Sequence, residues 1–255
     1  MSWLSKTIDT KLYNPPKTNL NSIQNLLNNC NYSSESYFVA NIHVLKISPL
    51  NYNNNKIMLY SHGNSSNIST LVNYLLDFVD KLNCTVIAYD YPGYGLSKLG
   101  NKPGAEQQIY DSLEKVVNDT ICRYQTRDIM LVGRSLGTGI VIHFAAYHEW
   151  PNSIVLISPY KSIGNIIINY IHLQNNYLFM CDKFNSIDKI KCVTCPIKIY
   201  HGCRDELIGL DHPQELYRCT PNKKWKPTYL PNTGHLDILC KIDYTELRYI
   251  LHNMC

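Results

Sequence analysis

One stretch constrains this chain more than any other: Gly133-Arg134-Ser135-Leu136-Gly137. Before it runs Asp128-Ile129-Met130-Leu131-Val132, short and apolar, with the character of a buried strand. After it, Thr138 to His148 reads as a helix. A strand must therefore pass into a helix through five residues. Two glycines let the backbone turn that sharply without a Cβ clash. Such a turn lifts the Ser135 hydroxyl above the end of the strand. It also sets the hydroxyl over a helix N-terminus, whose unpaired N–H groups favour negative charge. The five-residue pattern alone is short; the strand before it and the helix after it give it meaning.

The rest of the chain repeats this alternation. Residues 1–36 are polar, with Pro15-Pro16, and read as a leader holding one short helix around Ile23, Leu26 and Leu27. Loose alternation from Tyr37 to Ile47 predicts strands, and an Asn-rich loop, Asn51 to Asn55, follows. Ile57 to Tyr60, Thr85 to Tyr89, Ser153 to Ser158, Ile197 to Tyr200 and Pro227 to Leu230 are short apolar runs of strand type. Helical spacing appears at Leu71 to Leu82, Pro103 to Arg123 and Leu236 to His252. Short buried strands alternating with helices predict an α/β fold with a mostly parallel central sheet covered on both faces. The expected domain runs from 37 to 255, with no repeat and no second domain. In such sheets chemistry gathers at the carboxyl ends of the strands, where the polar, glycine-bearing loops fall.

Composition narrows the classes of function. At 45% hydrophobic and 17% charged residues, 255 residues bury a sizeable core. A net charge of +4 without a dense Lys/Arg run does not point to nucleic acid. Ten cysteines with no secretory signal at Met1-Ser2-Trp3 predict an intracellular, cytoplasmic chain of reduced thiols. Cys192 and Cys195 form a lone C-x-x-C without further ligands at zinc spacing, so no metal is expected. No run reaches transmembrane length. Ser2 stands where myristoylation needs glycine, and Cys255 is the last residue, not four from the end. Gly93-Tyr94-Gly95-Leu96-Ser97 lacks the last glycine of a dinucleotide fingerprint and reads as a tight loop, so no cofactor is expected.

A serine hydroxyl needs a base, and the base needs an orienting acid. After a strand–Gly-x-Ser-x-Gly–helix unit, the expected order along the chain is serine, acid, histidine. His235, in Gly234-His235 after the last strand, suits the base. Asp205, in His201-Gly202-Cys203-Arg204-Asp205 after the preceding strand, suits the acid, with Glu206, Asp211 and Asp237 as neighbouring alternatives. Donors for a developing oxyanion are expected from the backbone N–H of Leu136 and of Asn64, which follows His62-Gly63 at an early strand end. His62 is expected to stabilise its loop rather than serve as a second base.

These motifs taken jointly resemble the α/β-hydrolase superfamily: His62-Gly63-Asn64, Asp90-Tyr91-Pro92-Gly93-Tyr94-Gly95, Gly133 to Gly137, Ser158-Pro159, His201-Gly202 with Asp205-Glu206, and Gly234-His235 with Asp237-Ile238. Within it the chain is most similar to the alpha/beta hydrolase domain-containing protein seventeen family, serine hydrolases that remove palmitate from cysteines of membrane-attached proteins. The resemblance implies charge-relay roles for Ser135, Asp205 and His235, and an acylated protein or a small acyl ester as substrate. It also implies a short cap at about 160–190, with peripheral membrane contact. Two departures stand out. That family begins with a cysteine-rich lipidated segment, whereas this leader holds only Cys30; and Leu236 follows the histidine where the family tends to have a polar residue. A general carboxylesterase or lipase-like enzyme is the alternative expectation, and an inactive binding protein on the same fold the third.

Overall fold

The computed structural model describes residues 13–50, 55–98, 105–166 and 182–254. Eight strands form one sheet: β1 (Tyr32–Val39), β2 (Ile42–Pro49), β3 (Ile57–Ser61), β4 (Thr85–Tyr89), β5 (Ile129–Arg134), β6 (Ile154–Ile157), β7 (Ile197–Gly202) and β8 (Thr228–Leu230). Their spatial order is β1-β2-β4-β3-β5-β6-β7-β8. The β1–β2 hairpin joins β4 antiparallel, and every later pairing is parallel. Strands β3 to β7 are buried on both faces, as helices above and below a parallel sheet require.

On one face, α1 (Leu20–Leu27), α2 (Ile68–Leu82) and α7 (Tyr244–His252) bury Leu26, Phe78 and Leu251 against Met58, Val132 and Val155. On the other, α3 (Ala105–Arg123), α4 (Leu136–Tyr147) and α6 (Asp211–Cys219) bury Leu113, Ile140 and Leu216 with Leu59, Leu131 and Ile199. A one-turn α5 (Ser186–Lys189) precedes β7. The α/β fold expected from sequence, a mostly parallel sheet covered on both faces, is the fold observed.

Local boundaries differ in three places. β1 begins at Tyr32, inside the segment expected to be leader, because an edge strand needs only one covered face. Its polar residues are accommodated by bonds such as Tyr32 Oη to Asp80 (2.8 Å) and the Lys46–Glu35 ion pair (2.9 Å). The expected final helix from Leu236 is instead a 3₁₀ turn at Ile238–Cys240 followed by α7. Asp243 restarts the helix by accepting from the N–H groups of Thr245 and Glu246. Residues 13–19 also run across the loops after β3 and β4: Asn14 N–H donates to Asn64 Oδ1 (3.3 Å), and Asn67 Nδ2 donates to the Pro16 carbonyl (3.1 Å).

The central part of the expected cap, 167–181, lies outside the described residues, as do 1–12, 51–54, 99–104 (with the expected helix start at Pro103) and 255. Its two ends are joined, with Ile163 N–H bonded to the Lys183 carbonyl (3.0 Å) and Gly164 N–H to Asp182 (2.8 Å).

Candidate active site

Ser135 sits at the carboxyl end of β5 with φ 49° and ψ −117°. A non-glycine residue at positive φ carries strain, and surrounding structure must hold it there. Here the hold is close packing. A Cβ on Gly133 would lie 2.4 Å from the Gly137 carbonyl oxygen, and one on Gly137 would lie 2.1 Å from the Ser61 carbonyl oxygen. The two glycines thus let α4 press against both its own strand and β3. Ser135 N–H is spent on the Ile157 carbonyl (2.8 Å), which fixes the turn to β6.

His235 arrives from the loop after β8 and Asp205 from the loop after β7. These loops are stitched together by Arg204 N–H to the Thr233 carbonyl (2.9 Å). Gly202 allows the approach, since a Cβ there would meet the Thr233 oxygen at 2.2 Å. His235 Nδ1 lies 2.7 Å from Asp205 Oδ2, and His235 Nε2 lies 3.1 Å from Ser135 Oγ. A carboxylate facing Nδ1 selects the tautomer with the proton there, leaving Nε2 to accept from the serine hydroxyl.

Asp205 is buried, with its side chain 1% exposed. Burial raises its pKa. The hydrogen bond and charge of His235, with the Ile208 N–H and His201, outweigh that and hold the carboxyl below its ordinary value. Its other oxygen accepts from the N–H groups of Leu207 (3.0 Å) and Ile208 (2.8 Å). His201 supports the same turn through Nε2 and the Ile208 carbonyl (2.9 Å) and is kept neutral chiefly by burial. Of the alternative acids, Asp237 accepts instead from Gly234 N–H (2.7 Å) and Asp211 pairs with Lys161 (2.9 Å).

Asn64 and Leu136 both border the cleft at Ser135. Leu136 is the first residue of α4, where an N–H has no intrahelical acceptor. The Asn64 side chain is turned into the protein, where its Oδ1 accepts from Tyr94 Oη (2.6 Å) as well as from Asn14. His62 is buried, stacks on Tyr91 with ring centroids 3.9 Å apart and bonds its own loop at the Gly63 carbonyl (2.8 Å). Burial lowers its pKa, so it stays neutral.

Two clefts meet at Ser135. The first is apolar and is lined by Leu136, Tyr160, Ile163, Ile166 and Leu207. The second runs between the Gly63 to Ser66 loop and His235-Leu236, with Arg134 among its lining residues. Sequence reasoning did not single out Tyr94, Tyr160 or the buried Arg134. A tyrosine and an arginine carry no motif of their own, so no signal in the sequence points to their part. Cys192 and Cys195 are both free thiols; Cys192 is exposed, and burial pushes the Cys195 thiol up to about 12.

A doubly covered, mostly parallel sheet, with a strained serine at the end of a central strand and a His–Asp pair in line with it, defines a serine hydrolase. A family profile described as Serine aminopeptidase, S33 matches residues 52–187. An α/β hydrolase of Acanthamoeba polyphaga mimivirus is 36% identical over 257 residues, covering 98% of this chain and 94% of that protein. Alpha/beta hydrolase domain-containing protein 17C of Xenopus laevis is 31% identical over 201 residues, 77% of this chain. The match spans 62% of the Xenopus protein and 58% of the human 17C protein. An esterase from Pyrococcus furiosus superimposes with a TM-score of 0.70 at 17% identity, covering 95% of this chain and 99% of that one; at that identity the likeness shows the fold. The chain belongs to the α/β-hydrolase family.

Proposed function

We propose that this hydrolase cleaves an acyl ester or thioester through an acyl-enzyme on Ser135, with His235 as base and Asp205 as orienting acid. The observation that carries this reading is the unbroken line Asp205–His235–Ser135, at 2.7 and 3.1 Å, opening onto an apolar cleft. His235 Nε2 takes the hydroxyl proton as Ser135 Oγ bonds to the acyl carbon. The oxyanion is held by the N–H groups of Leu136 and Asn64. His235 then gives its proton to the leaving sulfur or oxygen, and that bond breaks. Water, deprotonated by His235, attacks the acyl-enzyme and releases the carboxylic acid and free serine. Asp205 stays ionised throughout and stabilises the imidazolium.

The apolar cleft favours a hydrocarbon acyl group over an amino acid side chain, and the similarity to the 17B and 17C proteins supports an acylated cysteine as its carrier. We place the enzyme inside the cell, acting at a membrane periphery; among the described residues no helix is long and apolar enough to cross a bilayer. The sheet, from β1 onward, and the crossing segment 13–19 are taken as one catalytic domain. A chain-length series of p-nitrophenyl esters and acyl thioesters, run on wild type and Ser135→Ala, tests this. Turnover that rises with acyl length and vanishes in the variant is expected. Turnover surviving in Ser135→Ala would overturn the assignment.

A further inference from the structure

Among the described residues, Arg134, the residue before the strained serine, is the one charged side chain lining these two clefts that the mechanism above does not use. It is only 8% exposed. Its Nη2 donates to the His235 carbonyl (3.0 Å), and its Nε is buried with no partner. Among the described residues no carboxylate forms an ion pair with it. A buried cation without a counter-charge is costly to keep. One hydrogen bond to a carbonyl does not offset that cost.

Its position says what compensates. Arg134 lies on β5 two residues after Val132, so its side chain leaves the sheet on the α2–α7 face, beneath the His235 loop. There it lines the second cleft with the Ser65 and Ser66 segment, His235 and Leu236. Glu206 and Asp237, whose carboxylates crowd Gly234, do not line this cleft. The mechanism assigns the cleft a role, because His235 must protonate the leaving atom. The leaving group therefore lies on the His235 side, over Arg134, while the acyl chain takes the apolar cleft that lacks His235.

Resting on the acyl-transfer reading above, we propose that Arg134 is a specificity residue for an anionic leaving group: a thiol or alcohol bearing a carboxylate or phosphate a few atoms from the scissile bond. A guanidinium pairs with either anion through two N–H groups in a planar fork. The pairing also supplies the counter-charge that none of the described residues provides. The anion must lie close to the scissile bond, since Arg134 and Ser135 are adjacent in the chain.

The test compares octanoyl thioesters of 3-mercaptopropionate (anionic), N-acetylcysteamine (neutral) and 2-dimethylaminoethanethiol (cationic). Wild type is expected to favour the anionic ester over the neutral one by about tenfold in kcat/KM, the worth of one charge-assisted hydrogen bond. Arg134→Met should abolish that ratio, and Arg134→Lys should keep part of it. Rates on all three esters fall in both variants, because the His235 carbonyl loses its donor; the ratio, not the rate, reports recognition. Equal ratios in wild type, or a ratio unchanged in Arg134→Met, would overturn the proposal and leave Arg134 a structural support of the His235 loop.

Wild type alone provides a second measure, with 3-mercaptopropionate inhibiting competitively and N-acetylcysteamine not; equal inhibition by the two would also count against the proposal. Peptides with S-octanoyl cysteine beside Asp or Asn, set against octanoylglycerol with or without phosphate, separate a protein source of the anion from a lipid one. Hydrolysis of the neutral thioester by wild type but not Ser135→Ala keeps the acyl-transfer reading intact whichever way the ratio falls.

Discussion

Replacing Asp205 by Asn changes one atom at the buried end of the His235 line. The asparagine oxygen retains the two bonds from Leu207 and Ile208 N–H, at 3.0 and 2.8 Å, so the loop keeps its shape. The amide nitrogen then occupies the position 2.7 Å from His235 Nδ1. Two N–H donors cannot face each other, so His235 moves its proton to Nε2. That nitrogen, 3.1 Å from Ser135 Oγ, then donates to the hydroxyl where it should accept. The base is lost while the geometry survives. The expected fall in kcat is about 10⁴-fold, the size of a wrong-tautomer defect in serine hydrolases, equivalent to about 5 kcal/mol of barrier. The assay is kcat on a p-nitrophenyl ester, with circular dichroism to show a folded variant and Asp237→Asn as control. Asp237 serves Gly234 N–H, so its loss should cost less than about tenfold, one neutral hydrogen bond. An Asp205→Asn enzyme that kept a tenth of wild-type kcat would refute the tautomer argument and return the acid to its neighbours.

Other consequences are equally specific. Gly137→Ala drives a Cβ to 2.1 Å from the Ser61 carbonyl, so α4 must shift; the urea midpoint should fall by the equivalent of about 1–3 kcal/mol, and an unchanged midpoint would contradict the packing. Tyr94→Phe keeps the ring contacts with His62 and Tyr91 but removes the 2.6 Å bond to Asn64, and kcat should drop about fivefold with KM little moved; unaltered kcat would remove this bond from the account. His212 is fully buried, and burial brings its pKa down to about 4. Below pH 6.5 the unfolded chain binds a proton there that the folded chain does not, so stability is lost as pH falls from 6.5 toward 4, by about 3 kcal/mol at the limit. Denaturation at pH 7.5 and pH 5 should show this slope, to which the other down-shifted histidines such as His143 add, and His212→Gln should reduce it by the His212 share; parallel slopes would refute the assignment.

How much of this was visible in the chain depended on the range of the cause. The strands and helices flanking Ser135 were legible because their periodicity is local. Strong apolar runs such as Ile154 to Ile157 have few alternatives to a buried strand. The order of Ser135, Asp205 and His235 was legible because each follows a strand, and parallel strands bring their carboxyl ends together. The break before α7 was not, since Leu236 to His252 keeps helical spacing and only the cap at Asp243 decides where the helix starts. The start of β1 was not legible either, because Tyr32 to Ser36 is polar, and an edge strand is specified by its partner. The burial of Arg134 and the reach of Asn14 and Tyr94 to Asn64 are tertiary facts. Separations of 30 and 50 residues along the chain leave no local trace of such contacts.

Ser135, and no other residue, is expected to form the covalent intermediate. A fluorophosphonate probe followed by peptide mass mapping tests it directly. One adduct per chain is expected, on the peptide containing Gly133 to Gly137 and at Ser135 itself, and it should be absent from Ser135→Ala and slowed in Asp205→Asn. An adduct on another serine, or labelling of Ser135→Ala at the wild-type rate, would contradict it.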